Sequence, residues 1–523
     1  MSVMLLASVG MTAQETYINA ELATKDLNGT ARYVGMGGAM DALGADLSTI
    51  STNPAGIGLF RHSAANLSFG LVTQEDAQEF ANGNKTNMSF DQAGFVYSTR
   101  MGQSSFLNFA FNYHKSRNFN HILNAAGRTL NGGSQNRVSY NKGYAGMDVF
   151  IENDEVLSND YAYSQLDYLY YNAMIYNPYV DLNPDPNKKE IFFPAYAERY
   201  MMDRVQTGYI GQYDFNISGN LNNRVYLGVT IGVHDVHYKS YSEYAELYDK
   251  GTVDDYGLGG VLVEDTREIT GTGFDLKAGV IFRPIEDSPF RIGLSVATPT
   301  WYDLTTRNYT AMYKDVDENH PHYNGINGWD IDNSYDFKLH TPWKFGLSLG
   351  HTIDNFIALG ASYEFADYGS LDSREIDGYD WDGNTTSSTD IPMKRHAEQT
   401  LKGVSTLKLG AEVMVAPQLF VRAGYNYVSP MYNKHGYKDG TLASYGVTDQ
   451  SQTDYTNWKA TQRLTAGVGC RLGKFSLDLA YQYSQTDGTF TPFKDVLDAT
   501  NVAESVDVSN KRNQVLLTMG YTF

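Results

Sequence analysis

The sequence predicts an all-β fold: a 14-stranded antiparallel transmembrane β-barrel whose N-terminal segment fills the lumen as a plug. Three observations predict it. Apolar and polar residues alternate along many segments after residue 62, and short and long connections follow one another strictly. The chain also holds 40 Tyr and 49 Gly but only 14 Pro among its 523 residues. Strands between lipid and a polar lumen alternate in this way, and aromatic girdles flank their apolar band.

The last predicted strand shows the alternation clearly. One face carries Val515, Leu517, Met519, Tyr521 and Phe523, and the other carries Gln514, Thr518, Gly520 and Thr522, with Leu516 as the exception. The same pattern recurs over residues 343–350, 419–427, 463–472 and 475–484, with charged residues mostly on the Gly- and Ser-rich face. We expect that face to line the lumen.

The connections give the strand count. Short turns are predicted around residues 101–103, 221–223, 284–289, 353–355, 416–418 and 473–474. Longer polar loops are predicted near residues 73–87, 117–204, 241–264, 312–332, 370–402, 432–460 and 488–512. These thirteen connections join fourteen strands, and short periplasmic turns alternating with long extracellular loops are typical of outer-membrane barrels.

Composition excludes several other classes. The formal net charge is −20 and no basic stripe is present, so we expect no nucleic-acid binding. Aromatic residues make up 13% of the chain, which argues against a disordered acidic protein. The single Cys470 excludes an intrachain disulfide framework and a cysteine-based zinc site. No apolar run long enough for a membrane helix follows the N-terminus.

The N-terminal part divides into two predicted segments ahead of a barrel at 63–523. Residues 1–13 are typical of a signal-peptide remnant cleaved after Ala13, with a short buried strand as the alternative. Residues 14–62 do not alternate and are predicted to form the plug. They contain two small-residue motifs, Gly35-Met36-Gly37-Gly38 and Asn53-Pro54-Ala55-Gly56. Glycine permits close backbone approach, and Asn-Pro marks a turn.

These two motifs resemble the hatch signature of the FadL/TodX family of outer-membrane transporters, in a Bacteroidetes-like branch. The resemblance implies a location in the Gram-negative outer membrane. It implies uptake of hydrophobic molecules such as long-chain fatty acids or aromatic hydrocarbons. It also implies capture of the ligand by extracellular loops, movement of the hatch, and lateral release through a gap beside a kinked early strand.

A helix in the longest loop is the candidate capture groove. Leu166, Leu169, Tyr170 and Met174 fall on one helical face. Such a face could bind varied apolar ligands, since methionine adapts its shape to its contacts. The alternative is a helix that packs on neighbouring loops and forms a lid.

Five cationic residues are candidate lumen groups: Lys277, Arg291, Lys344, Arg422 and Arg463. One reading pairs a cation near the hatch with the carboxylate of a ligand. The other pairs these residues with lumen carboxylates, so that they hold the plug. His234 and His237 are three residues apart on one strand, which directs them to opposite faces and makes them a poor metal pair.

The sequence therefore predicts a transporter and not an enzyme, with no cofactor and no metal. The alternatives are a docking or shuttle component of a secretion system and a receptor for a hydrophobic ligand such as hemin. Expected partners are outer-membrane lipid and lipopolysaccharide, a hydrophobic small molecule, and the barrel-assembly machinery through the C-terminal Phe523. We expect the protein to be a monomer.

Overall fold

The computed structural model describes residues 15–145, 147, 149–152, 155–158, 162–171, 194–256, 258–314, 326–354 and 356–523. The predicted signal remnant and Met174 lie outside these residues. Fourteen antiparallel strands form a closed barrel, and several of them are interrupted. They are β1 (Ala64–Gln74), β2 (Thr86–Arg100), β3 (Phe106–Asn118 and His121–Leu130), β4 (Ala197–Leu221), β5 (Val225–Tyr248), β6 (Gly260–Phe282), β7 (Arg291–Ala297 and Trp301–Lys314), β8 (Ile326–His340 and Lys344–Ile353), β9 (Ile357–Asp367 and Asp372–Tyr379), β10 (Thr385–Thr389 and Gly403–Ala416), β11 (Leu419–Val428), β12 (Tyr455–Leu472), β13 (Phe475–Thr491) and β14 (Val506–Thr522).

Each strand pairs with its neighbours in sequence, and β14 closes the barrel against β1. In that closing register Ala64 lies opposite Thr522 and Leu67 lies opposite Met519. The fold class predicted from the sequence is confirmed, including the strand count. We call the end of the barrel that holds the short connections the turn end and the opposite end the loop end.

All six predicted short turns join adjacent strands at the turn end. The predicted loop boundaries are wrong in most cases, because the strands continue well beyond them. β5 runs to Tyr248 and β6 begins at Gly260, so a short helix accounts for most of what remains of the predicted loop 241–264. Predicted loop 370–402 is also mostly regular structure, with a strand pair over 372–389 and a helix after it.

The two faces of the wall differ as the alternation predicts. Along β5 the outward side chains of Leu227, Val229, Ile231 and Val233 are exposed, while the inward positions between them are buried. An apolar outer face opposite a polar inner face is what a strand needs to cross a lipid bilayer. None of the helices in the described part of the chain is long and apolar enough to span a membrane.

Among the described residues, seven α-helices lie in the plug and in the loop-end connections. They are α1 (Thr16–Ala23), α2 (Ala31–Gly35), α3 (Gln135–Tyr144), α4 (Gln165–Tyr170), α5 (Lys250–Tyr256), α6 (Ile391–Thr400) and α7 (Tyr445–Thr448). Small strand pairs add Val149–Glu152 with Glu155–Ser158, and Val502–Ala503 with the upper part of β3. The loop-end helices and segments pack together into a layer that we call the lid.

The N-terminal segment lies inside the barrel. α1 sits next to the lid, and α2 with the 3-10 helices Leu47–Ser51 and Pro54–Leu59 fills the lumen further toward the turn end. We call residues 31–59 the hatch. Leu516 broke the alternation of β14, and its side chain is buried in one cluster with Ala31 and Val34 of the hatch. The plug therefore explains an apolar residue on the lumen face.

Candidate functional site: the plugged lumen

The first hatch motif lies directly on the backbone of the barrel wall. α2 begins after Thr30, whose side chain accepts a hydrogen bond from the backbone N–H of Tyr33, and it ends at Gly35. Gly37 and Gly38 follow with φ of 63° and 80°, a backbone region that favours glycine. A Cβ atom on Gly37 would lie 2.9 Å from the backbone oxygen of Leu409. Glycine is thus required here both for conformation and for space.

The wall contributes matching glycines at the same interface. A Cβ atom on Gly424 would lie 2.2 Å from the backbone nitrogen of Gly37, and one on Gly410 would lie 2.2 Å from the carbonyl oxygen of Met36. Gly35 similarly faces Gly467 across the interface. The glycine-rich inner face seen in the sequence is therefore the docking surface of the hatch.

The second hatch motif docks on the other side of the barrel. The side chain of Asn53 accepts a hydrogen bond from the N–H of Ala55 at 3.2 Å and so begins the following 3-10 helix. Gly228 of β5 leaves room for Pro54, because a Cβ atom there would lie 2.4 Å from the backbone of that residue. Gly279 of β6 makes room for Asn53 in the same way.

Polar wall side chains bind backbone carbonyls of the hatch. Thr465 donates to Gly35 at 3.1 Å, and Asn108 donates to Ile57 at 2.7 Å. Arg291, one of the five predicted lumen cations, donates to the carbonyl of Leu43 at 3.0 Å. These bonds satisfy carbonyls that a buried plug would otherwise leave without partners.

An ion network fixes the first half of the hatch. Arg32 forms a two-pronged pair with Glu412, at 3.0 and 2.8 Å. Arg422 donates to the same carboxylate at 2.6 Å and to Asp478 at 2.6 Å. The guanidinium of Arg422, another of the predicted lumen cations, is almost fully buried. Its placement matches the reading in which lumen charges pair with each other and hold the plug.

A cavity of about 320 Å³ lies between the hatch, α1 and the wall. Its size falls within the range of small-molecule sites. An apolar patch on its surface comprises Val404, Val428, Met431, Tyr432 and Trp458. Most of the remaining surface is polar. The sequence did not predict this mixed lining.

Three predicted lumen cations line this cavity. Lys277 is buried between Asp214, at 3.1 Å, and Asp275. Lys344 and Arg463 also face the cavity, and within the described residues neither has a carboxylate within 4.0 Å. Of the five candidates, Lys277, Arg291 and Arg422 therefore bind groups of the wall or the hatch. Lys344 and Arg463 face the cavity without an ion pair to any described residue.

α1 forms the ceiling of the cavity and is bound to the lid by side chains. Tyr17 stacks on Tyr432 with ring centroids 5.1 Å apart. Ahead of α1, the carboxylate of Glu15 is buried between Arg267, at 3.2 Å, and Lys438, at 2.5 Å. Burial raises the pKa of Glu15, but the two cations outweigh this effect and hold the pKa below its usual value. No sequence pattern pointed to this group, because its members are far apart in the chain.

The predicted capture helix is packed into the lid. Leu166, Leu169 and Tyr170 are at most 1% exposed and belong to one apolar cluster with residues of neighbouring loops. Asp167 forms a capping box with Ser164 and also binds Lys142 at 2.7 Å. These three side chains are not among those that line the lumen cavity. The packing matches the lid alternative, and the groove stays a prediction.

The barrel wall is incomplete beside β2. The turn-end part of β2 pairs with β3 from Arg100 up to Gln92, which lies opposite His114. Residues 86–90 pair only with β1, and Asp91 lies at a shift in the β1–β2 register. β3 bends at this level, with a register shift between Lys115 and Arg117 against β4. Lys115 reaches across the gap and donates to Ser89 at 2.6 Å. The gap is therefore closed by side chains instead of backbone hydrogen bonds.

A structure of a Pseudomonas aeruginosa FadL homologue aligns with this chain at a TM-score of 0.50 and 14% identity, over 96% of this chain and 100% of the other. This chain has the FadL fold. Two other solved structures align less well. The CymD monoaromatic hydrocarbon channel gives a TM-score of 0.48 at 12% identity, covering 96% of this chain and 99% of its own.

The Ralstonia pickettii toluene transporter TbuX aligns at a TM-score of 0.47 and 13% identity, and the alignment covers 95% of this chain and 99% of that protein. No family model and no curated protein matches the sequence. The assignment of the FadL fold therefore rests on the three-dimensional architecture of the P. aeruginosa homologue.

Proposed function

We propose that the protein carries hydrophobic or amphiphilic molecules, such as long-chain fatty acids, across the outer membrane of a Gram-negative cell. One observation carries the proposal: a cavity with an apolar patch lies inside a plugged barrel and reaches the gap in the wall. Val72, Asp91 and Lys115 line the cavity and stand at the edges of that gap. The named activities of the aligned hydrocarbon and toluene channels agree with this class of cargo.

In the proposed path, a ligand enters from the loop end, occupies the cavity below α1 and leaves sideways into the membrane beside β2. Lateral exit needs no passage through the hatch, whose backbone is in contact with the wall on both sides. The hydrogen bond from Lys115 to Ser89 must open for release. Rearrangement of two side chains is a smaller step than separating two paired strands, since no backbone ladder has to break.

Several partners follow from the same proposal. The apolar outer face is placed against membrane lipid, and the extended strands at the loop end against lipopolysaccharide. The C-terminal Phe523 is 63% exposed and its ring stacks edge-on with Tyr521. This accessible aromatic end is available to the barrel-assembly machinery. A monomer suffices for the path, because the cavity and the gap belong to one chain.

The proposed exit is tested by cross-linking the two sides of the gap beside β2. Ser89→Cys and Lys115→Cys, combined with Cys470→Ala, provide two thiols that a short bismaleimide can join. We expect tethering to abolish uptake of radiolabelled decanoate by whole cells, while mass spectrometry still finds amphiphile bound to the extracted protein. Uptake that continues after complete tethering contradicts the proposed exit.

The matched control joins Thr305→Cys to Asp336→Cys, which lie opposite each other on the outer face of the paired strands β7 and β8. Tethering there should leave uptake unchanged. If the extracted wild-type protein carries no amphiphile and instead retains a protein partner, the docking alternative is favoured over transport.

A further inference from the structure

Two arginines and a serine form a row on the lumen wall. Arg463 of β12 lies opposite Ser484 of β13, and Ser484 lies opposite Arg512 of β14. All three side chains line the cavity. Since adjacent strands are about 4.8 Å apart, the two arginine Cα atoms are separated by about 10 Å with a small residue between them. The row therefore places one guanidinium on each side of the serine hydroxyl.

The carboxylates nearest to the row are already engaged. Asp26 pairs with Arg117 at 3.0 Å, and Glu21 lies 3.6 Å from the same guanidinium. Across the described part of the chain, neither Arg463 nor Arg512 has a carboxylate within 4.0 Å. The row therefore presents positive charge to the cavity, in a protein whose formal net charge is −20.

The hydrogen bonds of the two arginines leave donors unused. Arg463 donates through Nη1 to the amide oxygen of Asn426 at 2.8 Å. Arg512 donates to the carbonyls of Asn118, at 3.4 Å, and Asn120, at 2.6 Å. Its Nε is buried and has no hydrogen-bond partner among the described residues. A guanidinium has five N–H donors, and Arg463 uses one of them in a hydrogen bond to a described residue, so it can donate to an acceptor in the cavity.

The surroundings of the row are polar on both sides. Gln482 and Gln514 lie toward the turn end, and Thr486 and Asn510 lie toward the loop end. The apolar patch of the same cavity begins on β10 and β11 and includes Trp458 on β12. One cavity thus combines a cationic polar panel with an apolar surface, an arrangement suited to a molecule with an anionic head and an apolar chain.

We propose that the Arg463–Ser484–Arg512 row binds a tetrahedral oxoanion headgroup, a phosphate or a sulfonate, on an amphiphile whose chain lies on the apolar patch. A carboxylate has two oxygen atoms and is matched by one guanidinium fork. A second guanidinium, a hydroxyl and side-chain amides around the same point fit a group with three terminal oxygens better. The inference rests on the proposed function and names its substrate class.

The test compares four ligands with alkyl chains of seven or eight carbon atoms: octyl phosphate, octane sulfonate, octanoate and octanol. Binding to the full-length protein in nanodiscs is measured by the fluorescence of Trp458, which lines the cavity, and confirmed by native mass spectrometry. We expect the two oxoanions to bind roughly tenfold tighter than octanoate, because their third terminal oxygen accepts a charge-assisted hydrogen bond from the second guanidinium. Octanol should bind most weakly.

Substitutions locate the site. Arg463→Gln and Arg512→Gln should each remove the preference for the oxoanions, and Arg463→Lys should restore part of it. Lys511→Gln is the matched control, since it removes one positive charge from the neighbouring residue, which pairs with Asp76 outside the lumen. Folding of each variant is checked by its heat-dependent shift in electrophoresis, so that a lost barrel is not mistaken for a lost site.

The outcomes separate the two proposals. Equal binding of octanoate and the oxoanions, or an unchanged preference in both glutamine variants, overturns the oxoanion site and leaves the proposed function in place. Equal binding of all four ligands does the same. If none of the four ligands binds to the folded protein, the proposed function fails together with this inference.

Discussion

The two parts of the plug are held in different ways. The hatch contacts the wall through glycines, so that backbone meets backbone at Gly37 and Gly424. α1 is instead held by side chains: Tyr17 stacks on Tyr432 of the lid, and the buried carboxylate of Glu15 pairs with Lys438 of the lid and Arg267 of the wall. A backbone contact has no adjustable atoms, whereas side chains can change rotamer. The difference predicts that the ceiling of the cavity moves more easily than the hatch.

We expect the largest effect from adding a side chain at the glycine interface between the hatch and the wall. In Gly424→Val the new Cβ would overlap the backbone nitrogen of Gly37, where nothing flexible can yield. We expect the hatch to leave its seat and the barrel to conduct ions, which single-channel recording in planar bilayers measures. Gly219→Val is the control, because no atom lies within 4 Å of a Cβ there. A closed Gly424→Val barrel would mean that the hatch is not fixed by these contacts.

The ion network of the hatch should give the next largest effect. Arg422→Met removes a buried guanidinium from Glu412 and from the partly buried Asp478. Breaking a buried pair by removing one partner costs about 3–5 kcal/mol. Arg307→Met is the comparison, since Arg307 and Asp332 form an exposed surface pair at 2.6 Å. Such a pair contributes about 0–1 kcal/mol. Urea unfolding of both variants measures the difference, and equal losses would contradict the structural role of Arg422.

We expect the smallest effect in the lid, whose stability should depend on pH. Glu246 is fully buried there, facing Tyr244, Tyr170, Tyr248 and the N-terminus of α3, and burial raises its pKa from 4.5 to about 7. A carboxyl group whose pKa is higher in the folded than in the unfolded protein contributes its full stability at pH values below the unfolded pKa. That contribution is lost as the pH rises through the folded pKa. The lid should therefore loosen between about pH 4.5 and 7.

Glu246→Gln tests this directly. The variant should protect residues 134–144 from hydrogen exchange better than the wild type at pH 8 and equally at pH 4, after correction for intrinsic rates. Exchange of the hatch should be the same in both proteins. A pH-dependent change in the hatch would remove the distinction between the two parts of the plug.

Much of this architecture could be predicted from residue alternation. Between lipid and lumen the two faces of a strand differ in polarity, so the strand count and the short turns are visible in the sequence. Beyond the membrane the outward face is polar as well. Lys239 and Glu243 continue the outward face of β5, and the alternation that marked this strand disappears. The predicted loops were too long for that reason.

The site could be predicted only in part. The hatch motifs were visible because glycine clusters are unusual outside turns. The Arg463–Ser484–Arg512 row depends on the register of three strands, which the sequence does not determine. Glu15 and Arg267 are separated by 252 residues, so no spacing rule could join them. Contacts made through strand register or across the lumen require the folded barrel.

The glycine interface also has a consequence for assembly. The hatch is synthesised before the wall on which it rests: Gly37 and its partner Asn426 are 389 residues apart in the chain. Contacts between such distant residues form late, because the loop-closure entropy must be overcome first. The first hatch motif therefore has no contact surface until strands β10 to β12 have formed, and a nascent barrel should pass through a stage that leaks before it is sealed.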